Sequence, residues 1–236
     1  MGIKDRIAAE QQAKGKFFLV GGQRLDGKST LGGTLRGKTL FLQADLLETG
    51  SSSAAALAES LGNKLDVLSF TDLNDLLSIM KDKEALQYDN IYVDGLSAIN
   101  EQVSVRDDFK KASRANIWDA FRLLGDEMRR FLLEAKKLTR EHKINVGVTL
   151  AYKLKDTNGT TSLEPDVKGN VTISEIQRLV PIVLAVRKKF DEEGNLKRVL
   201  VTKSDELYPA RIDSVLDGNN KGEAEANLGD LLKKLN

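Results

Sequence analysis

The apolar stretch "FFLV" (17–20) runs without a break into "GGQRLDGKSTLGG" (21–33). A buried-type strand that opens into so much backbone freedom, and then into residues able to form a helix, restricts the chain to folds in which a strand turns sharply into a helix. The rest of the sequence agrees. Runs rich in β-branched and aromatic residues alternate with helical patterns, as in the strand-helix-strand units of a parallel sheet. Strands are predicted at 16–21, 38–44, 65–70, 90–95, 144–152, 182–190 and 197–204. Helices are predicted at 52–62, at 72–86 on the repeat Leu73, Leu76, Leu77 and Met80, and at 112–141. The last of these carries an apolar stripe of Trp118, Phe121, Leu124, Met128, Phe131, Leu132 and Leu138, read mainly as packing against the sheet. The final two strands flank a turn at 193–195, so the sheet should finish as an antiparallel hairpin. The segment 153–172 lacks periodicity and reads as a long functional or mobile loop. These marks divide the chain into a helical extension at 1–15, an α/β core at 16–215 of mostly parallel twisted sheet flanked by helices, and a tail at 216–236 with a short amphipathic helix.

Residues Gly22, Gln23, Arg24, Leu25, Asp26, Gly27, Lys28 and Ser29 fit the spacing G-x-x-x-x-G-K-[ST], the phosphate-binding loop of nucleoside triphosphatases. Glycines let the backbone wrap so that successive N–H groups point inward at phosphate oxygens. Lys28 would reach the β and γ phosphates, Ser29 would offer its hydroxyl to Mg²⁺, and Thr30 completes the nucleotide-contacting run. "NIYVDG" places Asp94 at the end of an apolar strand, where a carboxylate can order the Mg²⁺ hydration shell. Hydrolysis needs a further carboxylate to hold or deprotonate water, and "LFLQADLLETG" offers Asp45 and Glu48. Thr149 and Tyr152, ending the 144–152 strand, are either sensors of the γ phosphate or ordinary strand residues.

Composition narrows the alternatives. The 236 residues carry 36 basic and 35 acidic side chains, so nucleic-acid contact would need a local basic surface. There is no cysteine and one histidine, His142, which excludes disulfides and Cys- or His-rich metal centres. No apolar run reaches the length of a membrane span, and the N-terminus lacks a signal-peptide core. Arg6 stands where a myristoylation signal needs Ser or Thr. The expectation is a soluble cytoplasmic protein.

The order of parts resembles the RecA-like P-loop NTPase core, and within it the small phage proteins of the Sak-four type that anneal single strands. The resemblance rests on "GGQRLDGKSTL", "KTLFLQAD", "NIYVDGLSAI", "IWDAFRLLGDEMRRFLLEAKKL", "VGVTLAY", "LEPDVKGN" and "RVLVTKSDELYPAR", which together span 15–212. It implies ATP and Mg²⁺ as cofactors and an ATPase that is slow, because Asp45 stands where such proteins usually carry glutamate. It also implies a homo-oligomeric ring or filament on single-stranded DNA, in a bacterial host cell if the chain is phage-encoded. A single-strand binding protein is an implied partner. Lys203 and Arg211 match the basic residues that a neighbouring subunit contributes to the phosphates, although each could equally be a solvated charge.

DNA contact has its own candidates in the sequence. Arg106, Lys110, Lys111 and Arg114 cluster after the Asp94 strand, and Lys153, Lys155 and Lys168 lie in the 153–172 segment with Tyr152 available for stacking. Acids are interspersed among them, so a merely solvated surface is the competing reading. The function expected is ATP-linked binding and annealing or pairing of single-stranded DNA in phage recombination. The rivals are a motor or helicase-loader ATPase and a nucleotide-gated assembly protein that does not hydrolyse.

Overall fold

The computed structural model describes residues 15–44, 50–157, 159–212 and 222–235. Among the described residues ten strands form one mixed sheet: β1 (Phe17–Gly22), β2 (Lys38–Ala44), β3 (Lys64–Phe70), β4 (Asn90–Asp94), β5 (Asn145–Thr157), β6 (Thr160–Pro165), β7 (Ile182–Phe190), β8 (Leu196–Val201), β9 (Arg211–Ile212) and β10 (Glu223–Glu225). The order across the sheet is β10-β8-β7-β1-β5-β4-β2-β3, with β6 added on β5 and β9 on β7. From β7 to β3 every neighbour is parallel, and β8 and β10 finish the sheet antiparallel. The protein is therefore an α/β fold with a mostly parallel sheet and a late hairpin.

Strand β1 lies in the middle and is buried along its whole length. A strand covered on both faces needs apolar residues at every position, which is why it reads as an unbroken run. Phe17 and Leu19 enter one core, and Phe18 and Val20 the other. The first core packs α3 (Leu73–Lys81), α4 (Leu96–Ser104), α5 (Asp107–Ala115), α6 (Ile117–Glu141) and α7 (Asn170–Leu179) on one face. On the other face lie α1 (Lys28–Leu31), α2 (Gly50–Ser60) and α8 (Leu228–Lys234).

Local chemistry sets these helices. Asp72 caps α3 by accepting from the N–H groups of Asn74 and Asp75, and Leu73, Leu76, Leu77 and Met80 are buried below it. On α6 the stripe Leu124, Met128, Phe131, Leu132 and Leu138 is buried as expected. Each such side chain contributes about 1.5–3 kcal/mol relative to exposure. In the tail, Leu228, Leu231, Leu232 and Leu235 of α8 and the residue after it join the second core.

Three expected elements need correction, the first being the helix expected at 72–86, which ends at Lys81 because Asp82 is extended. The helix expected at 112–141 is two helices, because Asn116 adopts an extended conformation and its side chain accepts from the Trp118 N–H, starting a new helix. Trp118 consequently falls at an exposed first turn and is 77% accessible, outside the packed stripe. The segment 153–172 is not a loop: β5 continues to Thr157 and pairs with β6 in a hairpin whose closing pair is Thr157 with Thr160, and α7 follows. Gly159, with a φ of 82°, stands between the two strands, a conformation that tight hairpin turns use. The helical extension expected within 1–15 falls almost wholly outside the described residues.

Candidate functional site

At the carboxyl end of β1 the chain turns through 23–27 into α1. Leu25 and Gly27 both adopt left-handed conformations, with φ of 66° and 90°. Such alternation aims successive N–H groups toward one side and makes a concave anion-binding surface. For Leu25 the conformation costs about 1–3 kcal/mol and persists only where the surroundings impose it. They do so through Asp26, whose carboxylate is buried under the loop. Its Oδ2 accepts from the Gln23 N–H at 2.7 Å, its Oδ1 pairs with Lys188 Nζ at 3.1 Å, and its backbone oxygen accepts from Arg198 Nε at 3.0 Å. Lys188 and Arg198 are direct cross-strand partners on β7 and β8. Sequence reasoning missed both, because only the sheet order carries the hairpin to the loop.

Lys28 folds over the same loop and donates from Nζ to the Gln23 carbonyl at 2.7 Å. The backbone oxygen of Lys28 accepts from the Tyr92 hydroxyl at 2.7 Å, which ties the start of α1 to β4. Tyr92 is fully buried between Phe18 and Phe41, and burial, with the Asp94 charge nearby, pushes its phenol well above the ordinary range.

Ser29, Gly50 and Asp94 meet beside this turn. A methyl group on Gly50 would lie 2.7 Å from Ser29 Oγ and 3.3 Å from Asp94 Oδ2, so the two oxygens crowd one point at the start of α2. Asp94 is buried; its Oδ1 accepts from Thr149 Oγ1 at 2.5 Å, and its Oδ2 has no hydrogen-bond partner among the described residues. Gln43, on β2, is the register partner of Asp94, and its Oε1 is likewise buried without a partner. The Gln43 amide nitrogen donates to Ser69 Oγ on β3 at 3.4 Å, so the oxygen donors that meet are the orphaned Asp94 Oδ2 and the Ser29 hydroxyl, a pair suited to a hard dication with its water shell. Among the described residues no group of three or more His, Cys, Asp or Glu gathers to hold a metal, so the remaining ligands of such an ion would be waters or phosphate oxygens. Gln43 was legible only as a polar residue ending an apolar strand. Thr30 Oγ1 is shared with Ser53 Oγ at 2.8 Å, which joins α1 to α2. Asp45 and Glu48 lie outside the described residues.

The other candidates are dispersed. Thr149 is buried and orients Asp94. Tyr152 is buried against β1, where a Cβ on Gly21 would lie 2.1 Å from its ring, and burial pushes its phenol up; it is not an available stacking surface. Arg106 pairs with Asp108 and with Glu127 on α6. Those partners hold its guanidinium above the usual range and, from the other side, Arg106 holds the Asp108 carboxyl below it. Lys110 lies 3.8 Å from Asp107, while Lys111 and Arg114 are exposed on α5. On the β5–β6 hairpin Lys153 pairs with Asp166 at 3.3 Å and Lys155 with Glu164 at 2.8 Å. Lys168 donates to Ser104 Oγ at 2.8 Å. Lys203 is exposed after β8, and Arg211 donates to the carbonyls of Gln177 and Val180, closing the end of α7. No protein-family model matches the sequence, and no curated protein is detectably similar to it.

Proposed function

We propose that the protein is a RecA-like P-loop ATPase that binds Mg-ATP and acts on single-stranded DNA, promoting annealing or strand pairing in phage recombination. The observation that carries the nucleotide reading is the meeting of the left-handed loop, Ser29 and the orphaned Asp94 oxygen at one end of the sheet. The RecA-like reading draws support from strand order, because β5 separates the loop strand β1 from the acid strand β4. Loop N–H groups would cradle the phosphates, Lys28 would turn from the Gln23 carbonyl to the terminal phosphates, and Ser29 and Asp94 would hold Mg²⁺ and its waters. Bound there, Mg²⁺ would neutralise charge developing on the β and γ oxygens. Asp45 or Glu48 would hold the attacking water, and Lys203 from a neighbouring subunit would offset charge on the leaving phosphate. Arg211 serves this less well, because it already closes α7.

For DNA, the support is the exposed cations Lys111 and Arg114 on α5 and the exposed Trp118 in the first turn of α6, side chains of the two kinds that bind a single strand. The charge-paired lysines of the β5–β6 hairpin favour a second reading, a nucleotide-gated assembly protein that does not engage DNA through that hairpin. Anisotropy of labelled single-stranded DNA, with and without Mg-ATP at two salt concentrations, separates the two. Salt-sensitive binding strengthened by ATP supports the first reading, and binding of nucleotide alone supports the second. Lys28→Ala should abolish nucleotide binding, and full retention would refute the site.

A further inference from the structure

The β7–β8 hairpin continues past the phosphate loop. On the face that carries α1 and α2, β7 presents Val186, then Lys188, then Phe190, and β8 presents their partners Leu200, Arg198 and Leu196. Val186 and Leu200 are core residues, and Lys188 and Arg198 grip Asp26. Phe190 and Leu196 are the next pair outward, roughly 7 Å further along the strands. They are 72% and 53% exposed, an aromatic and an aliphatic side chain directly opposite one another at the hairpin tip. The pair is apolar and directly continues the two residues that hold the loop, so a ligand seated on the loop would lie within its reach.

The placement of the candidate cation site says what covers it. Ser29 and Asp94 lie on the β4 and β5 side of β1, so the terminal phosphates would face that way. The β7–β8 hairpin flanks β1 on the opposite side. A triphosphate laid across the loop therefore sends its ribose toward Lys188 and Arg198 and its base toward the tip. We propose that Phe190 and Leu196 form a platform for the nucleobase of the bound nucleoside triphosphate, with Phe190 stacking on the ring and Leu196 closing its edge. The proposal rests on the phosphate site described above. A platform of this kind has no hydrogen-bonding code, so it takes purines in preference to pyrimidines through contact area and does not sharply separate adenine from guanine.

The test compares Mg-ATP with Mg-tripolyphosphate, which has the phosphates and no base, by titration calorimetry on the whole chain. Wild type should bind ATP at least about ten-fold more tightly than tripolyphosphate, the scale of one base on one aromatic side chain. Phe190→Ser with Leu196→Ser should bring ATP down to the tripolyphosphate value and leave tripolyphosphate unchanged. Phe190→Tyr should restore ATP affinity, which a general loss of structure would not allow. Equal affinity of wild type for the two ligands overturns the platform and leaves the phosphate site standing, as does unchanged ATP affinity in the double serine variant. A double serine variant that changes only the sedimentation coefficient shows that a second copy of the chain covers the tip, which also overturns it. Failure of wild type to bind either ligand refutes the phosphate site and the platform together.

Discussion

Asp26 is the residue through which the loop is held, and its removal has a magnitude that can be worked out. Asp26→Ala removes a buried carboxylate that accepts from the Gln23 N–H at 2.7 Å and pairs with Lys188 at 3.1 Å. A hydrogen bond to a charged group contributes about 1.5–3 kcal/mol. The ion pair adds about 0.5–1 kcal/mol, because Lys188 can return to water once its partner is gone. The Arg198 bond goes to the backbone and survives. The expected loss is about 2–4 kcal/mol, and with a urea slope of about 2–3 kcal/mol/M the midpoint falls by roughly 1 M. Asp26→Asn keeps an oxygen for the Gln23 N–H and loses only charge, so it should lose about 1–2 kcal/mol. Urea denaturation followed by circular dichroism measures both variants. If each unfolds within about 0.5 kcal/mol of wild type, Asp26 does not hold the loop and the account of the left-handed Leu25 is wrong.

Thr149→Val leaves both Asp94 oxygens buried without a donor, so it should cost about 1–3 kcal/mol and raise the Mg²⁺ concentration needed for nucleotide binding, read from a magnesium titration. Phe131→Ala, in the packed stripe of α6, should cost about 3–5 kcal/mol in chemical denaturation, whereas Trp118→Ala should fall within about 0.5 kcal/mol of wild type. Lys111→Glu with Arg114→Glu should weaken single-stranded DNA binding and reduce the slope of log affinity against log salt by about 1–2, measured by anisotropy. Burial raises the folded-state pKa of Tyr92 and Tyr152 above their unfolded values, so the stability they contribute is fully present below about pH 10 and is lost as pH rises above that. Of the four tyrosines, these two should ionise only with unfolding in an ultraviolet alkaline titration, and Tyr152→Phe should move the alkaline unfolding to higher pH.

What a chain's own sequence determines is what neighbouring residues decide among themselves. The unbroken apolar run of β1 and the helical repeat of Leu73, Leu76, Leu77 and Met80 each state a local conformation, and the strand and the helix form there, although the helix expected at 72–86 stops at Lys81. The β5–β6 hairpin was equally local, marked by Gly159 with its φ of 82° between the closing pair Thr157 and Thr160. Tertiary structure decided the rest. Gln43 stands level with Asp94 only because β2 lies beside β4, and Lys188 and Arg198 reach Asp26 only because β7 lies beside β1. Periodicity tells which face a side chain takes, and the order of strands tells what it meets there. That order follows from the burial of whole helices on both sides of the sheet, a property no short stretch of sequence contains. For the same reason Tyr152 closes against the glycine of the central strand while Trp118, an apolar residue in an apolar pattern, stands in water.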